Sequence, residues 1–210
     1  DIVRTEADER NLSDTAQQVE SLIERARAHD EKIIVFVTGV PGAGKTLVGL
    51  NVATSHRENN DTHAVFLSGN GPLVTVLREA LTRDDVARRR KSGERTTRER
   101  AGKPIKAFIQ NVHHFRDEGL RDREKPPVDR IVIFDEAQRA WNREKAERWM
   151  RSRKGITDFH YSEPEFLIEC MDRHQGWAVI VCLVGGGQEI GSGEAGIGSW
   201  IEACAERFPE

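Results

Sequence analysis

Cysteine is scarce: three occur in 210 residues, Cys170, Cys182 and Cys204, scattered without the spacing of metal ligands. The expectation is free thiols, buried in a reducing compartment. No signal peptide opens the chain, and no apolar run approaches the ~20 residues that span a bilayer. Internal repeats are missing too. Nor is there an excess of one charge: the net value is −3, so bulk charge names no partner. The expected setting is cytoplasmic, without a membrane. The chain opens at Asp1 without Met and stops soon after its last motif, which suggests an excised piece of a longer protein.

What is present centres on Gly39-Val40-Pro41-Gly42-Ala43-Gly44-Lys45-Thr46, which fits G-x-x-x-x-G-K-[ST] at every fixed position. The apolar, β-branched residues 33–38 read as a buried parallel strand, and residues 47–55 as a helix opening near Lys45. Phosphate oxygens need several donors close together. Gly42 and Gly44 let backbone N–H groups converge, and the helix N-terminus adds its positive end. Lys45 would bridge the β- and γ-phosphates of ATP, and the Thr46 hydroxyl would hold Mg²⁺. Gly39, Pro41, Ala43 and Leu47 complete the nucleotide-binding set.

A second element follows a buried strand at 131–134. Asp135-Glu136-Ala137-Gln138 places two acids at a strand's carboxyl end. Asp135 would hold Mg²⁺, mostly through water, and Glu136 would orient and deprotonate the attacking water. A third long strand at 177–184 empties into Gly185-Gly186-Gly187-Gln188. There the Gln188 amide can stand beside the γ-phosphate and sense ATP against ADP.

Between these motifs the expectations are coarser. A helix is read over 15–29, capped by Ser13 or Asp14. Gln17 and Gln18 face solvent or read adenine. Residues 63–67 form a short strand ending in the turn Ser68-Gly69-Asn70, and a helix covers 73–81. Residues 83–106 hold ten Lys or Arg against four acids, a net +6. This stretch reads as a mobile insertion, solvated or suited to a phosphate backbone. Residues 105–115 read as a strand or strand plus turn carrying His113 and His114, with a structural or nucleic-acid-facing role favoured over metal. Residues 117–129 read as a linker. A single basic helix is expected over 139–154, with Trp141 and Trp149 either packed inward or facing nucleic acid. Further helices are read from Ser162 to 173 and over 199–208, with a loop at 191–198.

With these motifs in order, the chain resembles the first RecA-like domain of superfamily 1 DNA/RNA helicases. More narrowly, Val-Thr-Gly-Val-Pro-Gly-Ala-Gly-Lys-Thr, Phe-Leu-Ser-Gly-Asn-Gly-Pro-Leu, Phe-Asp-Glu-Ala-Gln-Arg and Val-Gly-Gly-Gly-Gln-Glu-Ile are similar to a bacterial helicase-like family related to the helicase-like region of Schlafen proteins. The resemblance spans about residues 33–205. It implies that Gln138 matches the last position of the Asp-Glu-x-x-Gln box, and that Ser68, Gly69 and Asn70 occupy the loop touching single-stranded DNA or RNA. Gly186-Gly187 stand where many superfamily 1 members have Gly-Asp.

The implied fold is α/β, a P-loop NTPase of RecA-like type, with a parallel sheet, helices on both faces and nucleotide at the strands' carboxyl ends. Residues 1–31 are an N-terminal helical extension and 32–210 the ATPase domain. The second RecA-like domain is absent from this stretch. The function read is that of a nucleic-acid-dependent ATPase. The alternatives are an ATP-dependent switch and a small-molecule P-loop kinase.

Overall fold

A computed structural model describes residues 6–56, 63–186 and 193–208. Five strands form one sheet: β1 (Lys32–Gly39), β2 (Ala64–Ser68), β3 (Ile109–Asn111), β4 (Ile131–Asp135) and β5 (Ala178–Gly185). Their order is β1-β5-β4-β2-β3 and every pairing is parallel. The helices are α1 (Glu6–His29), α2 (Lys45–Ser55), α3 (Gly71–Lys91), α4 (Arg98–Phe108), α5 (Val112–Arg121), α6 (Arg143–Trp149), α7 (Glu163–Asp172) and α8 (Gly196–Arg207).

Strand alternation builds two cores. Val65, Leu67, Val132, Phe134, Ile180 and Cys182 face α5 to α8. Phe66, Ile131, Ile133, Val179, Val181 and Leu183 face α1 to α4. Both faces are covered, as a parallel sheet requires. Helix α1 inserts Val19, Ile23 and Ala26 into the second core, so it packs on the sheet. Gln17 and Gln18 are exposed on it. Helices after β1 and β2 lie on one face, and those after β4 and β5 on the other. The chain therefore opens crevices at the carboxyl ends between β1 and β5 and between β4 and β2.

Several expectations are corrected. Helix α1 begins at Glu6, so Ser13 and Asp14 are interior to it and cap nothing. The stretch 83–106 is a helical hairpin and not a mobile insertion. Asp85 is buried at 3% exposure and accepts from Arg88 Nη2 (2.7 Å) and Arg89 Nε (2.8 Å), which carries α3 onward to Lys91. Ala101, Ile105 and Phe108 bury one side of α4, and a Cβ on Gly102 would lie 3.3 Å from Thr82 Oγ1. Apolar residues are few here, but they fall on a single face.

Residues 105–115 split into the end of α4, three residues of strand and the start of α5, whose first turn is capped by Asn111 through His113 N at 3.0 Å. Part of the expected linker at 117–129 is helix, through Arg121. The single helix expected over 139–154 is broken. A 3₁₀ turn at Ala137–Arg139 precedes α6, and a π turn at Met150–Lys154 follows it. The backbone around Trp141 is bonded elsewhere: Ala195 N to Ala140 O at 2.7 Å, Glu163 N to Trp141 O at 2.9 Å and Asn142 N to Gly193 O at 3.0 Å. Those tertiary bonds replace helical ones. Helix α7 opens on a full capping box between Ser162 and Glu165.

The three cysteines are free, with Cys170 and Cys182 buried. No helix among the described residues is long and apolar enough to cross a membrane.

Candidate active site

Strand β1 delivers the phosphate loop at Gly39, in register with Gly185 on β5. Gly186 N donates to Gly39 O at 2.9 Å and fastens the two strand ends. Gly42 and Gly44 adopt φ of 82° and 83°, the left-handed region that glycine enters at no steric cost. Ala43 N donates to Val40 O at 3.2 Å inside the turn. Gly44 is the N-cap of α2, and no side chain caps that helix, which leaves its first N–H groups for an anion. Lys45 Nζ donates to Gly39 O (2.8 Å) and Val40 O (2.9 Å), so the ammonium lies across the mouth of the loop. A cleft of about 390 Å³ is lined by Pro41, Gly42, Gly44, Lys45, Thr46, Leu47, Glu136 and Gly185, among others.

Strand β4 carries the acids to the same place. Thr46 Oγ1 donates to Asp135 Oδ1 at 3.0 Å. Asp135 is 3% exposed, and its Oδ2 is buried without a hydrogen-bond partner among the described residues. Burial pushes its carboxyl up to about 6, against the Thr46 hydrogen bond, which lowers it. A buried carboxylate oxygen lacking a donor, beside a hydroxyl, suits a hard divalent cation that takes oxygen ligands. Thr46 and Asp135 therefore fit Mg²⁺.

Glu136 has φ 54° and ψ 47°, one of two non-glycine residues with positive φ among those described. Such a conformation costs on the order of 1–3 kcal/mol and turns the chain sharply after the strand. The turn brings Glu136 into the phosphate cleft and into a second cavity beside it. Glu136 Oε2 accepts from Gln138 Nε2 at 2.7 Å and pairs with Arg139 Nε at 3.4 Å. Gln138 Oε1 in turn accepts from Gly185 N at 3.1 Å. One amide thus links Glu136 to the end of β5. Gln188 itself lies outside the described residues.

The family model for the Schlafen group 3 DNA/RNA helicase domain matches residues 32–210. The chain belongs to that family. No curated protein is found to match it. Among solved structures, the Pyrococcus furiosus Hef helicase domain is similar at 17% identity and a TM-score of 0.44, covering 89% of this chain. The chain spans 35% of that helicase chain. This member of the family has an α/β fold, with the loop Gly39–Thr46 and the pair Asp135-Glu136 at the carboxyl edge of a parallel sheet covered by helices on both faces.

The second cavity of the Schlafen helicase domain measures about 430 Å³ and opens at the break between β4 and β2. Gly69, Asn70, His113, Trp141, Lys145 and Glu163 are among the residues that line it. Ser68 is fully buried and accepts from Asn70 N at 3.2 Å, so it shapes the turn and offers no surface. Asn70 caps α3 through Leu73 N and is exposed. His114 is exposed, while His113 is half-buried.

Behind this wall lies a set of residues that sequence reasoning missed. Glu163 is buried at 5% exposure and Arg116 at 2%. Glu163 takes Arg116 Nη1 at 3.3 Å and Trp141 N at 2.9 Å. The Arg116 guanidinium lies 4.2 Å from the Trp149 ring centre and 5.2 Å from that of Trp141. Its Nη2 reaches His113 Nδ1 at 2.9 Å. Burial, together with the Arg116 cation, pushes His113 down to about 4, so its ring is neutral at pH 7. Trp141 and Trp149 thus pack inward around an arginine. The available signal was Glu163 itself, an acid in an apolar helix beside a proline.

Proposed function

We propose that this domain is the ATP-binding and ATP-hydrolysing half of a nucleic-acid-dependent motor, a helicase or translocase. The observation that carries the reading is the 3.0 Å bond between Thr46 and Asp135 with Asp135 Oδ2 left buried and unpartnered. A hydroxyl from the phosphate loop and a carboxylate from a neighbouring element meet where a magnesium nucleotide would need them. The backbone of Gly42 and Gly44 would cradle phosphate. Lys45 would exchange its two loop carbonyls for the β- and γ-phosphate oxygens. Thr46 and Asp135 would hold Mg²⁺, which when bound neutralises charge on the transferring phosphoryl group. Glu136 would orient the attacking water and take its proton, the step being in-line displacement at the γ-phosphate. Gln138 would keep Glu136 in register with β5, and Gln188 would sense the γ-phosphate.

In the same reading, single-stranded DNA or RNA would cross the face formed by Gly69, Asn70, His113 and His114. A second RecA-like domain of a longer chain would close the cleft and supply an arginine. The domain unit would be 32–210, in keeping with the span of the family match, with 1–31 as a helical extension packed on it. An ATP-dependent switch is the second reading. What favours it is that Glu136 is engaged by Gln138 and Arg139 and would have to be released to reach water.

The test is ATP binding and hydrolysis with and without single-stranded DNA or RNA, with Lys45→Ala as the blank. Lys45→Ala should lose nucleotide. Glu136→Gln should keep binding and lose turnover by 10²-fold or more, on the order expected for a general base. Wild-type-like nucleotide binding by Lys45→Ala would overturn the site. If Glu136→Gln keeps full strand-dependent function and only Lys45→Ala abolishes it, the switch reading is the correct one.

A further inference from the structure

The α3–α4 hairpin is far from this site. Helix α3 leaves the carboxyl end of β2 and has 21 residues, roughly 31 Å of helix at 1.5 Å per residue. Strand β2 has five residues, about 17 Å. Arg78 Nε donates to the carbonyl of Ile109, the first residue of β3, at 2.8 Å. The part of α3 after Arg78, and the opening turns of α4, therefore project beyond the sheet's amino edge, opposite the nucleotide cleft.

This projection is where the basic residues collect. Residues 83–106 carry +6 in a chain of net −3, so everything else together carries −9. Four of the ten cations are engaged: Arg83 and Arg98 with Glu79, Arg88 and Arg89 with Asp85. The other six, Arg90, Lys91, Arg95, Arg100, Lys103 and Lys106, are exposed and make no ion pair among the described residues. Cations in the last turn of α3 are explained by the helix macrodipole. The first turn of α4 is not: it carries Arg98 and Arg100 at a positive helix end, with Glu99 its acid. A local preference broken on an ordered scaffold is expected where a ligand compensates for it. The scaffold is fixed by Asp85 on one helix and by Ala101 and Ile105 on the other, so little chain entropy is lost on binding.

We propose that this hairpin is a second nucleic-acid contact, gripping the phosphodiester backbone of a duplex. The class of partner follows from the side chains. Unpaired Arg and Lys match phosphate oxygens. Residues 83–106 contain no Phe, Trp or Tyr, so the stacking platform used by single-strand binders is missing. Contacts to backbone alone position a duplex without reading its sequence. The proposal stands on the hairpin and does not depend on nucleotide hydrolysis.

The experiment compares wild type with the quadruple variant Arg90→Gln, Lys91→Gln, Arg95→Gln, Arg100→Gln. Binding to a labelled 20-base-pair DNA or RNA duplex, and to a single strand of equal length, is followed by fluorescence anisotropy without nucleotide across a salt series. All four positions are exposed, and unchanged circular dichroism establishes that the variant is folded. The variant should lose about tenfold or more in duplex affinity at low salt, and the slope of log affinity against log salt should shrink by about 3. Single-strand binding should change far less. Lys45→Ala should bind duplex as wild type does, which separates this outcome from the ATPase reading. An unchanged duplex slope overturns the proposal, as does an equal loss for the single strand.

Discussion

At the scale of single residues, burial decides chemistry more than residue type does. His113 and His114 are neighbours in sequence and differ in surroundings: one ring is walled by Trp141, Trp149 and Arg116 while the other meets solvent. The His113 ring titrates near 4 in the fold, chiefly through burial, and near 6.5 in an unfolded chain. Between those values the unfolded state holds the extra proton, so this residue's contribution to stability is complete above about pH 6.5 and is lost as pH falls toward 4. Asp129 and Asp135, both raised to about 6 by burial, act oppositely: they take up protons in the fold first, so their contribution strengthens as pH falls through the same window. The effect of His113 therefore has to be isolated by difference. His113→Asn keeps an acceptor for Arg116 and does not titrate. Thermal melting at pH 7 and pH 5 should show a smaller drop for the variant than for wild type. Equal drops would mean that His113 is protonated in the fold at pH 5.

At the scale of elements, a helix is held by how closely it can approach the sheet. Gly49 is in the interior of α2, where glycine normally costs about 1 kcal/mol relative to alanine. Yet a Cβ there would lie 2.6 Å from Leu183 Cδ1, 2.8 Å from Ile133 Cγ2 and 3.2 Å from Phe66 Cε2, on three different strands. Alanine should therefore destabilise, reversing the propensity order, because overpacking costs about 1–3 kcal/mol. Urea denaturation checks the sign: a Gly49→Ala midpoint at or above wild type would show that α2 can lift without penalty. The same packing explains what sequence made legible. Buried strands at β2, β4 and β5 read clearly because both faces of a parallel sheet are covered and nearly every residue is apolar, whereas β1, expected to be buried, is the edge strand and is mostly half-buried. Thr46 and Asp135 were legible as partners because the chemistry of phosphate and magnesium restricts residue type. The hairpin of α3 and α4 was not, since its order rests on a buried aspartate and a few apolar contacts across two helices. The broken helix after Asp135 was hidden for a related reason: its backbone bonds go to Glu163, Gly193 and Ala195, which no local pattern announces.

At the scale of the molecule, the two ends of the sheet differ in the side chains they gather. The carboxyl edge gathers Lys45, Thr46 and Glu136 around one cleft, with Asp135 bonded to Thr46. The amino edge extends into the basic hairpin. Residues lining the phosphate cleft include one cation, Lys45, and no arginine among the described residues. Phosphoryl transfer leaves charge on the γ-phosphate oxygens that an arginine finger stabilises, an effect of about 10³–10⁵ in rate. In the proposed function that arginine comes from a second RecA-like domain. These 210 residues alone should then bind Mg·ATP, with binding lost in Lys45→Ala, while hydrolysing it slowly and failing to separate the strands of a duplex. The measurement is ATP titration followed by steady-state turnover and a strand-separation assay on the same preparation. Tight binding with slow turnover places the missing charge outside this chain. Brisk, unstimulated turnover would require an arginine already within reach, and Arg139, paired to Glu136 at 3.4 Å, is the side chain whose substitution should then abolish it.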